Sequence, residues 1–348
     1  MLGPKVNQVA NRIKARFGMA GKSCYWVRGK DRAPYPKAAS DSMEPTRLNS
    51  GESTAYLAPS GFERELAHEL GGDAEAFGRL YLAPGPPRPA AWRANFWYDP
   101  MRLAVVSIAD GAKRLRAIQR NWALYAFRLH RRAALIQERL PHVSAKPLRF
   151  PSPAPTAPLG SWTLLGPNQI LAASRCASPF PNGEVGFVED KEGPPNRAYL
   201  KLWEALTLLG RRPGPGDTCL DLGASPGGWT WALAGLGARV VAVDKAPLAP
   251  RVAKLANVEV RRESAFALDP AAIGPVDWLC SDVVCYPDRL FRLVEKWLAS
   301  GLARNMVCTL KFQGATDFTA QARFAALPGG RLVHLHHNKH ELTWLWPA

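Results

Sequence analysis

Residues 218–229 read Thr-Cys-Leu-Asp-Leu-Gly-Ala-Ser-Pro-Gly-Gly-Trp, and Val-Val-Ala-Val-Asp follows at 240–244. This pair of segments restricts the possible folds more than any other. The apolar run 219–222 predicts a buried strand, and the glycines at 223–228 let the backbone approach a ligand closely. Trp229, Leu233 and Leu236 share one helical face, so a helix starts there with its N-terminus aimed at whatever the loop holds. The second strand ends at Asp244, 21 residues beyond Gly223, where an acid can accept hydrogen bonds from a ribose diol.

Two kinds of nucleoside cofactor suit such a βαβ unit. A dinucleotide needs Gly-x-Gly-x-x-Gly, so that its pyrophosphate lies on the helix N-terminus. Here the loop is Gly223-Ala224-Ser225-Pro226-Gly227-Gly228, and Asp221 stands directly before it. A carboxylate there repels pyrophosphate and welcomes an ammonium. S-adenosylmethionine has an ammonium and no phosphate, so it is the expected cofactor. Asp221, residues 223–228, Trp229 and Asp244 are its candidate contacts.

Asp-Leu-Gly-Ala-Ser-Pro-Gly-Gly-Trp resembles the cofactor loop of the FtsJ-type ribose 2′-O-methyltransferases. That family uses a Lys-Asp-Lys-Glu tetrad, and the resemblance carries it to Lys201, Asp282, Lys311 and Glu341. These lie in Ala-Tyr-Leu-Lys-Leu-Trp-Glu-Ala, Asp-Trp-Leu-Cys-Ser-Asp, Met-Val-Cys-Thr-Leu-Lys and Glu-Leu-Thr-Trp-Leu-Trp. Four phrases are similar to members that methylate a cytidine ribose in large-subunit ribosomal RNA. They are Ser178-Pro-Phe, Leu200-Lys-Leu, Trp297-Leu-Ala-Ser-Gly-Leu and His340-Glu-Leu-Thr. The likeness is strong over 186–348, thin over 56–185 and absent before that. It implies an RNA 2′-O-methyltransferase with Lys311 as base or hydroxyl-orienting group, Asp282 its partner at the cofactor, and Lys201 and Glu341 completing the network. One position departs: Arg262-Glu263-Ser264 puts a hydroxyl where the resemblance expects an acid near adenine. Ser264 is the candidate there.

The tetrad that the resemblance implies also makes sense in the expected topology. Strands are expected at 218–222, 238–244, 257–263, 277–283, 305–311, 331–337 and 341–346, with helices near 228–236, 287–299 and 316–326. The alternation implies a Rossmann-like, mostly parallel α/β sheet with right-handed crossovers. Ligands of such sheets bind at the carboxyl ends of the strands. Asp282 and Lys311 end successive strands. An antiparallel last pair, turning at 338–340, brings Glu341 to the same edge. A ribose hydroxyl is a poor nucleophile near neutrality, so methyl transfer to it gains from positioning and proton removal. Two neighbouring ammonium groups disfavour each other's charge, while the carboxylates hold them in place.

The formal charge of +16 is concentrated. Segment 111–150 holds ten basic residues against the single acid Glu138. Leu115, Ile118, Trp122, Tyr125, Leu129, Ala133, Ile136 and Leu140 recur every three or four positions, predicting an amphipathic helix with a basic outer face. RNA phosphates suit that face; a membrane surface or plain solvent is the alternative. No stretch approaches the ~20 apolar residues needed to span a bilayer.

Residues 1–55, with ten basic and four acidic residues, read as a disordered basic arm or a start site set too far upstream. They contain no secretory signal. Residues 56–146 suggest a small α+β RNA-binding unit with a helix near 61–70 and a strand at 103–108; the family places a THUMP-type region hereabouts. A proline-rich connector and a hairpin (162–166, 170–174) occupy 147–185, and the Rossmann-like domain fills 186–348. Cysteines 24, 176, 219, 280, 285 and 308 lack zinc-ligand spacing and suit a reducing cytoplasm. Histidines 334, 336, 337 and 340 have no accompanying ligand set, so no metal is expected. Trp344 and Trp346 read as sheet packing. Transfer RNA or another structured RNA is a second possible substrate; a ribosome-assembly protein with a vestigial pocket is a third reading.

Overall fold

The computed structural model describes residues 46–47 and 53–348. The basic arm expected over 1–55 therefore lies outside the described residues, apart from the strand Thr46–Arg47 and residues 53–55.

Seven strands of the carboxyl-terminal half form one sheet: Thr218–Leu222 (β1), Arg239–Val243 (β2), Val258–Arg261 (β3), Val276–Ser281 (β4), Ala303–Lys311 (β5), Arg331–Val333 (β6) and Glu341–Trp346 (β7). Their order is β3-β2-β1-β4-β5-β7-β6. The first five run parallel, and β7 runs antiparallel to both neighbours. Side chains alternate between two apolar layers. Leu220, Leu222, Leu279, Met306 and Leu310 face one way, and Cys219, Trp278, Cys280 and Val307 the other. Helices Tyr199–Leu209 (α1) and Gly228–Gly235 (α2) cover the second face. Pro287–Ser300 (α3) and Phe318–Ala325 (α4) cover the first. In α3 the stripe Leu290, Phe291, Val294, Trp297 is buried, proline opens the helix, and Gly301 closes it in the left-handed conformation. This is the Rossmann-like mixed sheet that the βαβ pattern implies.

The amino-terminal half is smaller and contains two five-stranded sheets. One has the order Thr46–Arg47, Met101–Ala104, Gln169–Ala173, Gly160–Gly166, Trp122–Leu124. The other has the order Arg175–Cys176, Asn95–Tyr98, Ser53–Leu57, Leu80–Pro84, Glu75–Phe77. Leu57, Leu80 and Trp97 of one pack against Leu165 and Leu171 of the other. The hairpin expected in the connector is thus part of this half, and its strands are the inner members of a sheet.

The long basic helix does not exist as one element. The helix Ile108–Ile118 stops, Trp122–Leu124 joins the edge of the first sheet, and a second helix runs over His130–Gln137. Trp122 causes the break. Its ring is fully buried, and its indole N–H donates to the Leu115 and Gln119 carbonyls at the end of the helix. The charge expectation fares differently: Lys113, Arg116, Arg120, Arg128, Arg131, Arg139, Lys146 and Arg149 are all exposed. No helix among the described residues is long and apolar enough to cross a membrane.

The two halves share a core. Glu69, on the helix Glu63–Leu70, is the polar centre of their contact. Its carboxylate accepts from the Ala91 and Trp92 amides, both at 2.8 Å, and from the Gln321 side chain of α4 at 2.5 Å. The Trp92 indole donates back to Gln321 Oε1 at 2.8 Å. Replacing Glu69 by Ala strands three donors at a buried site, so Glu69→Ala should lose about 3 kcal/mol in chemical denaturation. Gln321→Glu should also destabilise, by setting two carboxylates together.

Candidate active site

Lys201 lies one turn into α1, where the apolar surroundings leave it 8% exposed. Its ammonium donates to Asp282 Oδ1 at 2.7 Å and to Glu341 Oε1 at 3.0 Å. Asp282 directly follows β4, Lys311 ends β5 and Glu341 opens β7, with Lys311 and Glu341 paired in register. Lys311 Nζ lies 3.1 Å from Asp282 Oδ1 and donates to the Asp282 backbone carbonyl at 2.6 Å. All four residues therefore meet at one sheet edge. Lys201 and Glu341 form the buried rear, while Asp282 and Lys311 line an open cleft of about 420 Å³.

The glycine-rich turn forms the opposite wall. Gly223, Ala224, Ser225, Gly228 and Trp229 line the same cleft, with Asp244 beside them. Gly223 has a φ of +80°, and a Cβ there would lie 2.6 Å from Val283 Cα. Only glycine lets the turn pack that closely on the segment leaving β4. Pro226 and Gly227 complete the turn without facing the cleft: the Pro226 carbonyl accepts from Ala249, and Gly227 abuts Val252. Asp244 accepts from the Ser225 amide at 3.0 Å and the Ala246 amide at 2.8 Å. Each carboxylate oxygen keeps a further lone pair for a diol.

A second lobe of about 180 Å³ shares Gly223, Asp244 and Val283 with the first. Ser264, Phe266 and Arg289 line it, with the guanidinium 3.9 Å from the Phe266 ring centre. Asp244 thus stands where the two lobes meet. The lining suits a nucleoside joined to an amino acid: the Phe266 ring and Arg289 for a base, the Asp244 carboxylate for a diol, and the Asp282 carboxylate for an ammonium.

Asp221 is placed differently from expectation. It is fully buried beneath the turn and does not line the cleft. Its Oδ2 accepts from the Thr230 hydroxyl at 2.6 Å, and its Oδ1 has no partner among the described residues. Burial pushes its pKa up to about 7, the Thr230 hydrogen bond pulls downward, and the negative Asp282 and Asp244 add to the rise.

Sequence reasoning missed Asn196, which lines the cleft and accepts from the Ala198 amide at 3.1 Å. No motif marks it. Glu204 was also missed. It is buried on α1 one turn beyond Lys201, and it accepts from the His336 amide at 2.7 Å, the His337 amide at 3.0 Å and His337 Nδ1 at 2.7 Å. These bonds end β6 at Val333, short of the expected 337. His334, buried against Phe62 and Trp92, donates its amide to the Ala91 carbonyl, which also draws the chain off the sheet. Among the described residues no histidine, cysteine or acid cluster could hold a metal ion.

A chain with this sheet order, glycine turn and acid after β2 defines a class. Residues 194–307, about a third of the chain, match the FtsJ-like methyltransferase family, so this segment is similar to an FtsJ-like methyltransferase domain. Its relatives narrow the comparison further. Ribosomal RNA large subunit methyltransferase M of Halorhodospira halophila is 41% identical over 157 residues, covering 43% of this chain and 46% of that protein. The Aromatoleum aromaticum protein of that name is 38% identical over 164 residues (42% and 44%), and the Alkalilimnicola ehrlichii one 36% over 188 residues (50% and 51%). The chain spans about half the length of the curated relatives it matches.

Asp221 gives a pH-dependent expectation. A carboxyl whose pKa is raised on folding adds stability at low pH, and this is lost as pH rises from the ordinary value of 3.8 towards 7. Asp221→Asn cannot ionise. Measured by denaturant titration, it should gain on wild type between pH 5 and pH 8, on the order of a few kcal/mol.

Proposed function

We propose that this chain methylates the 2′-hydroxyl of a ribose in RNA, with large-subunit ribosomal RNA as substrate. The observation that carries the reading is the placement of Lys311. It faces the cleft beside Asp282, while Lys201, itself paired with Glu341, holds Asp282 from behind. The names of the relatives support the choice of RNA.

Asp244 would hold the ribose diol of S-adenosylmethionine, and Ser264, Phe266 and Arg289 the adenine. The turn at 223–228, Trp229 and Asn196 would hold the amino-acid end, with Asp282 near the ammonium. Bound there, the cofactor supplies an electrophilic methyl group. The chain's own residues manage the proton. Lys311 is placed to orient the acceptor hydroxyl and to receive its proton during methyl transfer, with Asp282 beside it to hold the ammonium that results. Lys201 does not line the cleft and is held by two carboxylates, so it fixes Asp282 and leaves the hydroxyl to Lys311.

Contact with RNA falls to the amino-terminal half, where the exposed cations of 113–149 suit phosphates. We assign the chain to the cytoplasm: its four buried thiols at 219, 280, 285 and 308 suit a reducing compartment.

Transfer of a tritiated methyl group to unmodified large-subunit RNA tests the reading. Lys311→Ala should lose at least 100-fold in kcat, as removal of a general base does, and retain cofactor binding. Label on a base, label on transfer RNA alone, or full activity in Lys311→Ala overturns it. On the RNA side, Arg128→Ser combined with Arg131→Ser should weaken RNA binding and flatten its salt dependence, by filter binding at two ionic strengths.

A further inference from the structure

The segment leaving β4 carries a feature that proton transfer and cofactor binding do not use. Val284 is 73% exposed and Tyr286 68% exposed, whereas Cys285 between them is buried. Among the described residues, Tyr286 is the one aromatic in the set of exposed large hydrophobic side chains. Its ring stacks on no other ring, and its hydroxyl has no hydrogen-bond partner among those residues. Burial of an aromatic side chain is strongly favourable, so an uncovered one beside a reactive cleft is a cost without return in the free protein.

The position of this pair is fixed. Val283 packs on Gly223, and Val283 and Val284 line the cleft together with Asp282 and Lys311. The Tyr286 carbonyl accepts from the Arg289 and Leu290 amides, and Pro287 follows as the first residue of α3. A rigid backbone therefore presents the ring, with little entropy to lose on contact. Lys311 donates to the carbonyl of Asp282, where this segment begins. The chain can carry Val284 at most ~7 Å beyond that point. Val284 lines the cleft together with Lys311, and Tyr286 lies two residues further along the chain, so this pair offers a surface to the base of a nucleotide whose 2′-hydroxyl reaches Lys311, apart from the glycine turn that the cofactor takes.

We propose that Val284 and Tyr286 form the platform for the base of the acceptor nucleotide, with Tyr286 stacking on its face. The inference rests on the ribose-methylation reading above. Stacking tolerates every base, so the platform supplies affinity and orientation, and hydrogen bonds elsewhere choose the base.

The test uses the full chain with Tyr286→Ala and Tyr286→Phe. Because the side chain is exposed, neither change disturbs packing. Tyr286→Ala should raise KM for unmodified large-subunit RNA about tenfold or more, while cofactor affinity by calorimetry stays unchanged; Tyr286→Phe, which keeps the ring, should remain within about twofold. A second measurement needs no catalysis: a short single-stranded RNA carrying 2-aminopurine should be quenched by wild type, by Tyr286→Phe and by Lys311→Ala, but not by Tyr286→Ala. Equal KM in all three proteins overturns the platform even if methyl transfer is confirmed. If wild type methylates no RNA, the enzymatic reading falls, and quenching alone decides. No quench by wild type, or equal quench by Tyr286→Ala, then overturns the platform as well.

Discussion

One ammonium holds the cleft together. Lys201 is delivered by a helix on one face of the sheet, and it reaches over the strand ends to bond both Asp282 and Glu341. Three segments far apart in sequence are tied at this point. Burying such a charge is expensive, and attraction compensates only while both carboxylates are present and well placed. The cluster is thus an unforgiving arrangement: losing one member leaves an unmatched charge. Lys311 stands at its open end, exposed enough to meet a substrate and bound closely enough to be aimed.

Two further constraints bring the donor lobe to that end. Gly223 lets the turn lie against Val283, and so joins the two lobes of the cleft. Glu204 holds the chain before β7 through two backbone amides and a histidine, so that Glu341 enters the sheet at the position facing Lys311. The same segment touches the amino-terminal half through His334 and the aromatic group of Phe62, Trp92 and His340. The half that we assign to RNA therefore rests against residues adjoining the ion cluster.

Much of the carboxyl-terminal half was legible in the sequence. β1 and β7 begin and end where the apolar runs do, because strands buried on both faces leave few polar residues to blur their limits. Topology then placed Asp282, Lys311 and Glu341 at one edge before any contact was seen. The failures have physical causes too. A period of three to four over 115–140 suggested one helix, but Trp122 was drawn into a sheet whose partner strand lies some forty residues away, and periodicity is blind to such pairing. β6 ended early because Glu204 and Ala91, both remote in sequence, claimed the amides that would have extended it. Asp221 looked like a ligand group, yet lies under the turn with Thr230. Asn196 stands in a loop with no pattern around it.

The separation of Lys201 from Glu341, 140 positions along the chain, has a kinetic consequence. Contacts so remote close late, after the entropy of a long loop has been spent. A folding intermediate with the five parallel strands in place would already own both lobes of the cleft, yet its ammonium would find only one of its two carboxylates. Docking of the final hairpin is therefore the event that completes the ion cluster, and a slip of one residue in that strand would point Glu341 at the opposite face.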